Sequence, residues 1–101
     1  MSYITIFDKS NTVFFGEYLN SDNSSFTLSN PCVILVSPDE QDGSLNVEVF
    51  PVCPLEILSE RTRLEGSIWH YDKTNVRFYS ISVEMDERII KKYNAIFNGK
   101  K

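Results

Sequence analysis

The first two-thirds of the chain alternates short apolar runs with clusters of Asn, Asp, Ser, Gly and Pro, which is the pattern of β-strands separated by turns. β-Branched and aromatic residues dominate the runs, as suits a pleated, half-buried surface. The predicted strands are Ser2–Phe7, Thr12–Leu19, Ser25–Val36, Leu45–Cys53 and Leu55–Leu58. Lys9-Ser10-Asn11 and Asn20-Ser21-Asp22-Asn23-Ser24 are turns, the second made of residues that bond their own backbone. Gly16 inside the second strand predicts a sharp bend or bulge where a sheet curls, and Asn30-Pro31 predicts a bulge in the third, because proline cannot donate to a ladder. Ser37–Ser44, with Pro38, three acidic residues and Gly43, is the longest polar loop before the fourth strand, and Pro54 breaks the chain ahead of the fifth.

Beyond Glu60 the pattern predicts a hairpin: Gly66–Tyr71, a turn at Asp72-Lys73-Thr74-Asn75, then Val76–Val83. The last segment changes period. Ile89, Ile90, Tyr93, Ile96 and Phe97 fall on one face of a helix that Asp86 caps, that a Glu87–Lys91 pair supports and that Gly99 ends. A helix of about three turns is marginal alone, so its apolar stripe is expected on the sheet or on a neighbouring subunit. At 101 residues the chain has room for one core. The expected organisation is a single mainly β domain over 1–101, with a strongly bent barrel of five strands in 2–58 and an added hairpin and helix in 61–98.

Charge and cysteine usage narrow the classes. Met1–Asp8 has no basic start and no apolar run long enough for a signal peptide or a membrane span, which predicts a cytoplasmic protein without a membrane partner. Cys32 and Cys53 lie far apart, each beside a proline, and are expected to be buried free thiols. The net charge of −4 argues against a general nucleic-acid binder, but its distribution is uneven. Residues 1–60 carry one basic and nine acidic side chains, whereas residues 61–101 carry nine basic and five acidic ones. Such asymmetry puts a positive face on an acidic protein unless folding intermixes the two halves.

Gly16, Tyr18 and Asp22 have the spacing of the first Sm motif, followed by alternating hydrophobics at Phe26 and Leu28. With the bent second strand, the short polar loop, the longer loop before the fourth strand and the proline break, residues 2–58 resemble the Sm/LSm-like family. The sequence departs from the family pattern at the second motif, with Pro51-Val52 where an Arg-Gly pair usually stands, and the family's base-binding asparagine has only Asn23 nearby. The overall character is similar to divergent Sm-like proteins of phage or marine metagenomic origin, which for a phage protein means the host cytoplasm. The resemblance implies a non-enzymatic homo-oligomeric ring of roughly five to seven subunits that binds RNA or single-stranded DNA. It implies Leu45–Cys53 and Leu55–Leu58 as the edges that pair between subunits, and Asp22-Asn23-Ser24 as a loop that hydrogen-bonds a base edge at the inner rim.

The residues themselves suggest a second part of such a site. Arg61, Arg63, Trp69, His70, Tyr71, Lys73, Arg77 and Tyr79 supply cations for phosphates and flat side chains for bases within nineteen residues. By alternation Trp69, Tyr71, Arg77 and Tyr79 are expected on one face of the hairpin; the alternative is that this face is core. The candidate nucleic-acid residues are therefore Asp22, Asn23, Ser24, Arg61, Arg63, Trp69, Tyr71, Lys73 and Arg77. No catalytic set is expected, since any triad would have to be built around His70, the only histidine. No metal or cofactor is expected either: Asp39, Glu40 and Asp42 lack the spacing of a calcium loop, and the four glycines are isolated. The rival function is a structural or adaptor protein, for example a phage assembly component, that binds only protein.

Overall fold

A computed structural model describes residues 2–52, 63–65 and 67–97. They form seven strands, β1 (Tyr3–Asp8), β2 (Val13–Ser21), β3 (Ser25–Pro38), β4 (Leu45–Pro51), β5 (Arg63–Glu65), β6 (Ile68–Asp72) and β7 (Val76–Ser82), and one helix, α1 (Glu87–Phe97). A 3-10 turn (Lys73–Asn75) joins β6 to β7. The fold is mainly β, with every strand pair antiparallel. The predicted strand Leu55–Leu58, Cys53 and the helix stop at Gly99 lie outside the described residues.

The sheet runs β5-β6-β3-β2-β1-β7, with β4 also paired to β3. β3 is its spine: one edge pairs with β2, while the other carries β6 along Ser25–Ser29 and β4 along Cys32–Pro38. Between those two stretches stand Asn30, in the left-handed region at φ 50°, and Pro31, which has no N–H to give. The β2–β3 register steps there from Phe15↔Cys32 to Glu17↔Ser29, so Asn30 and Pro31 together oppose Gly16, the bulge that both sequence features predict. Glycine is required by close approach: a Cβ at position 16 would lie 2.6 Å from Leu28 Cδ1 and 2.8 Å from the Ser29 carbonyl oxygen.

Bent in this way, the sheet curls over one of its own faces. Phe26 on β3 and Tyr79 on β7 are three strands apart, about 14 Å in a flat sheet, yet their ring centroids are 4.6 Å apart. The concave face holds Ile4, Ile6, Phe14, Phe26, Leu28, Trp69 and Tyr71. The convex face is covered by α1, whose Tyr93 is buried with Phe15, Cys32, Ile34, Val47 and Val49. Both faces of β2 are therefore buried, which is why Phe14 and Phe15 break the alternation expected of a strand with one wet side.

Two expectations are corrected. The path ends at β5 and β7, so the described strands do not close into a barrel. The predicted hairpin does not form either, because β6 pairs with β3 while β7 pairs with β1. Asp72 Oδ1 accepts from the Thr74 N–H (2.9 Å) and hydroxyl (3.0 Å), which winds the linker into a 3-10 turn in place of a tight reversal. The chain leaves one end of the curled sheet and arrives at the other.

Candidate nucleic-acid interface

The seam between the two ends of the sheet leaves an open groove of about 390 Å³ lined by Phe26, Lys73, Val76, Arg77, Phe78 and Tyr79. Phe78 and Tyr79 are each 51% exposed, large aromatic surface left uncovered on an edge strand. Tyr79 leans on Phe26, and Phe78 stacks on Phe7 on the opposite side of β7, at 4.3 Å between centroids. Lys73 stands over the Phe26 ring with Nζ 4.8 Å from its centroid, and the Arg77 guanidinium carbon is 5.4 Å from the centroid of Phe78. Each cation thus lies against an aromatic face, an arrangement that keeps the charge exposed while its stem covers apolar surface.

The polar loop predicted from the first motif borders this groove. The Lys73 N–H donates to the Ser24 carbonyl at 2.9 Å, and Lys73 Nζ donates to the carbonyl of Asp22. Asp22 Oδ1 accepts from the backbone N–H groups of Ser24 (2.7 Å) and Ser25 (2.8 Å) and from the Ser24 hydroxyl (3.1 Å). Those bonds, the Ser24 N–H first, hold the Asp22 carboxyl below the usual carboxylate range. Asp22 Oδ1 is thereby committed to its own turn, and Asn23 stands exposed at the tip beside it.

The structure thus brings Asp22, Asn23, Ser24, Lys73 and Arg77 into one region. Trp69 and Tyr71 are not part of it: they are 1% and 0% exposed in the concave core, so the expectation that they stack bases is overturned. The rim of β6 that alternation assigned to ligand is the side that the curled sheet encloses. Arg63 lies on β5, paired with His70 at the opposite end of the strand order from β7, and Arg61 lies outside the described residues. Phe26 and Phe78 were not among the candidates. One signal for Phe78 was available, because adjacent aromatics on a strand point to opposite sides and Phe78-Tyr79 cannot both be core in a strand with one buried face.

Other chemically capable groups are occupied. His70 Nδ1 lies 3.2 Å from Thr27 Oγ1 on the neighbouring strand. Burial pushes the Cys32 thiol up to about 12, so it packs as a small apolar group. A second hollow of about 400 Å³ adjoins Asp8, Lys9, Ser10, Tyr71 and Asn75. Asp8 there accepts from the Ser10 N–H (3.0 Å) and hydroxyl (2.7 Å), the Thr12 N–H (3.0 Å) and the Tyr71 hydroxyl (2.9 Å). In the loop before β4, Asp39 accepts from the Gln41 N–H and Asp42 from the Ser44 N–H and hydroxyl.

Compared with known proteins, the chain matches no family model and no curated protein sequence.

Proposed function

We propose that this chain is a non-enzymatic, Sm-like binding domain that takes RNA or single-stranded DNA in the seam groove. The observation that carries the reading is one open groove that sets two cations, Lys73 and Arg77, beside two half-exposed rings, Phe78 and Tyr79. Single-stranded nucleic acid presents phosphates and base faces together, and such a surface meets both. The five-strand path β6-β3-β2-β1-β7, strongly bent at Gly16 and Asn30-Pro31, supports the Sm-like part of the reading, with β6 and β7 in the places expected of earlier segments. Self-association belongs to the same reading, since β4 has no strand on its outer edge among the described residues.

The test is fluorescence anisotropy with a short U-rich RNA and its DNA counterpart at several salt concentrations. Two phosphate contacts give a slope of log K against log salt of about −1.4 for a single strand, and K73Q/R77Q should flatten it towards zero. Native mass spectrometry of the same mixture reads the number of subunits that carry the oligonucleotide. Undetectable binding at low salt removes the nucleic-acid function. The adaptor reading then takes its place, supported by the net charge of −4 and the half-exposed Leu35, Val36, Leu45 and Phe50 around β4.

A further inference from the structure

Past Ile34 the pairing of β3 with β2 ends, and Leu35–Pro38 keeps only Leu45–Glu48 of β4 as a partner. These segments make a two-stranded arm, and a two-stranded ribbon is marginal in water without a face to pack on. Apart from Val47, which α1 covers, its apolar side chains lack that face: Leu35, Val36 and Leu45 are 53%, 55% and 51% exposed. The end of the arm is acidic, with Asp39, Glu40 and Asp42 in the six residues between the strands. The seam groove has the opposite properties. It is apolar in Phe26 and Tyr79, basic in Lys73 and Arg77, and bounded by β7, which has no strand on its outer side among the described residues.

We infer that the groove of one copy receives the acidic end of the β3–β4 arm of a second copy, so that self-association and nucleic-acid binding compete for one surface. Leu45 and Val36 cover the groove's aromatics, and the carboxylates of the loop stand where phosphates would stand against Lys73 and Arg77. Asp39 and Asp42 use one oxygen each on the backbone of their own loop, which fixes its shape and leaves the second oxygen of each, and Glu40, to face a cation. The inference rests on the groove's charge and exposed rings, and deepens the functional reading by naming what fills the groove when nucleic acid is not bound.

Sedimentation velocity over a range of protein concentrations, at low and high salt, tests it. The wild-type chain should associate with a strength that falls as salt rises. D39N/E40K/D42N keeps an acceptor oxygen at both turn positions, alters only residues of the loop between β3 and β4, and should weaken association about tenfold or more. Mixing R77E with D39N/E40K/D42N should restore a salt-sensitive complex that neither forms alone, because the unaltered acidic arm of R77E then meets the unaltered basic groove of the arm variant. Association unchanged in the arm variant, or a wild-type chain that stays monomeric at low salt, overturns the inference. Oligonucleotide anisotropy on the same variants separates the two claims. Tighter oligonucleotide binding by the arm variant supports competition, whereas equal binding by both proteins with unchanged association leaves the nucleic-acid function and removes the arm. Loss of association without any oligonucleotide binding keeps the arm and removes the nucleic-acid function.

Discussion

Asp8 and Gly16 fix the two ends of the β1–β2 hairpin by different means. Burial works to raise the Asp8 pKa, but the bonds from Ser10, Thr12 and Tyr71 together outweigh it, and the carboxyl sits below its ordinary value of 3.8. A carboxyl depressed on folding contributes stability that is present above the unfolded pKa and is lost as pH falls through the folded one. Chemical denaturation from pH 7 to pH 2 should therefore show a plateau to about pH 5 and a fall below about pH 4, with a shallower fall in Asp8→Asn. Tyr71→Phe keeps the ring in the core and removes one donor to a charged acceptor, which should cost about 1.5–3 kcal/mol at pH 7. At position 16 the steric conflict is with a backbone oxygen, which cannot swing away as a side-chain end can. Gly16→Ala should cost about 1–3 kcal/mol as overpacking, read as a lower urea midpoint with unchanged slope. Gly16 was legible in the sequence because a glycine inside a strand needs a geometric reason. Tyr71 was not, since alternation puts Trp69 and Tyr71 on one side of β6 without saying which side the sheet would enclose.

At the scale of elements, β1 to β4, β6, β7 and the helix were legible, whereas β5 and the strand partners were not. Period-two and period-3.6 patterns report which faces are apolar, whereas pairing depends on where the linker sends the chain. The β6–β7 pair shows the difference: a polar tetrapeptide between two alternating runs looks like a hairpin loop, yet Asp72 bonds Thr74 and turns the linker into a 3-10 segment. The helix shows the converse. Its stripe predicted packing on the sheet or on a neighbour, and Tyr93 settles it by filling the convex face edge-on to Phe15, at 5.0 Å between centroids, and to Tyr3, at 6.1 Å. Its hydroxyl donates to the Ser29 carbonyl at 3.2 Å, beside the Asn30-Pro31 bulge. Tyr93→Phe should lose about 0.5–1.5 kcal/mol with the helix still docked, while Tyr93→Ala should lose about 3–5 kcal/mol, both measured by urea titration of far-UV circular dichroism.

For the whole molecule the question is whether two apolar clusters make one cooperative unit. The clusters lie on opposite faces of one sheet, and neighbouring residues of the same strand serve both: Phe14 enters the concave core and Phe15 the convex one, as do Leu28 and Cys32 along β3. Neither strand can leave one core without leaving the other, so unfolding should be a single transition. The chain supplies its own local probe, because its one tryptophan, Trp69, lies in the concave core on the face opposite α1. Tyr93→Ala disturbs only the convex core directly. If the sheet couples the clusters, the urea midpoint seen by Trp69 fluorescence should fall together with the one seen by circular dichroism, by about 2–3 M for a domain of this size. If the helix face melts on its own, the Trp69 midpoint stays at its wild-type value while the dichroism midpoint moves, and the two cores are separate units. Coupling has a consequence for the groove, since Phe26 and Tyr79 belong to the seam of the concave core. A docked helix on one face then helps to hold the curl that brings those rings together on the other. Oligonucleotide affinity should accordingly weaken in Tyr93→Ala in proportion to the fraction of chains unfolded, and recover when lower temperature or added osmolyte refolds them.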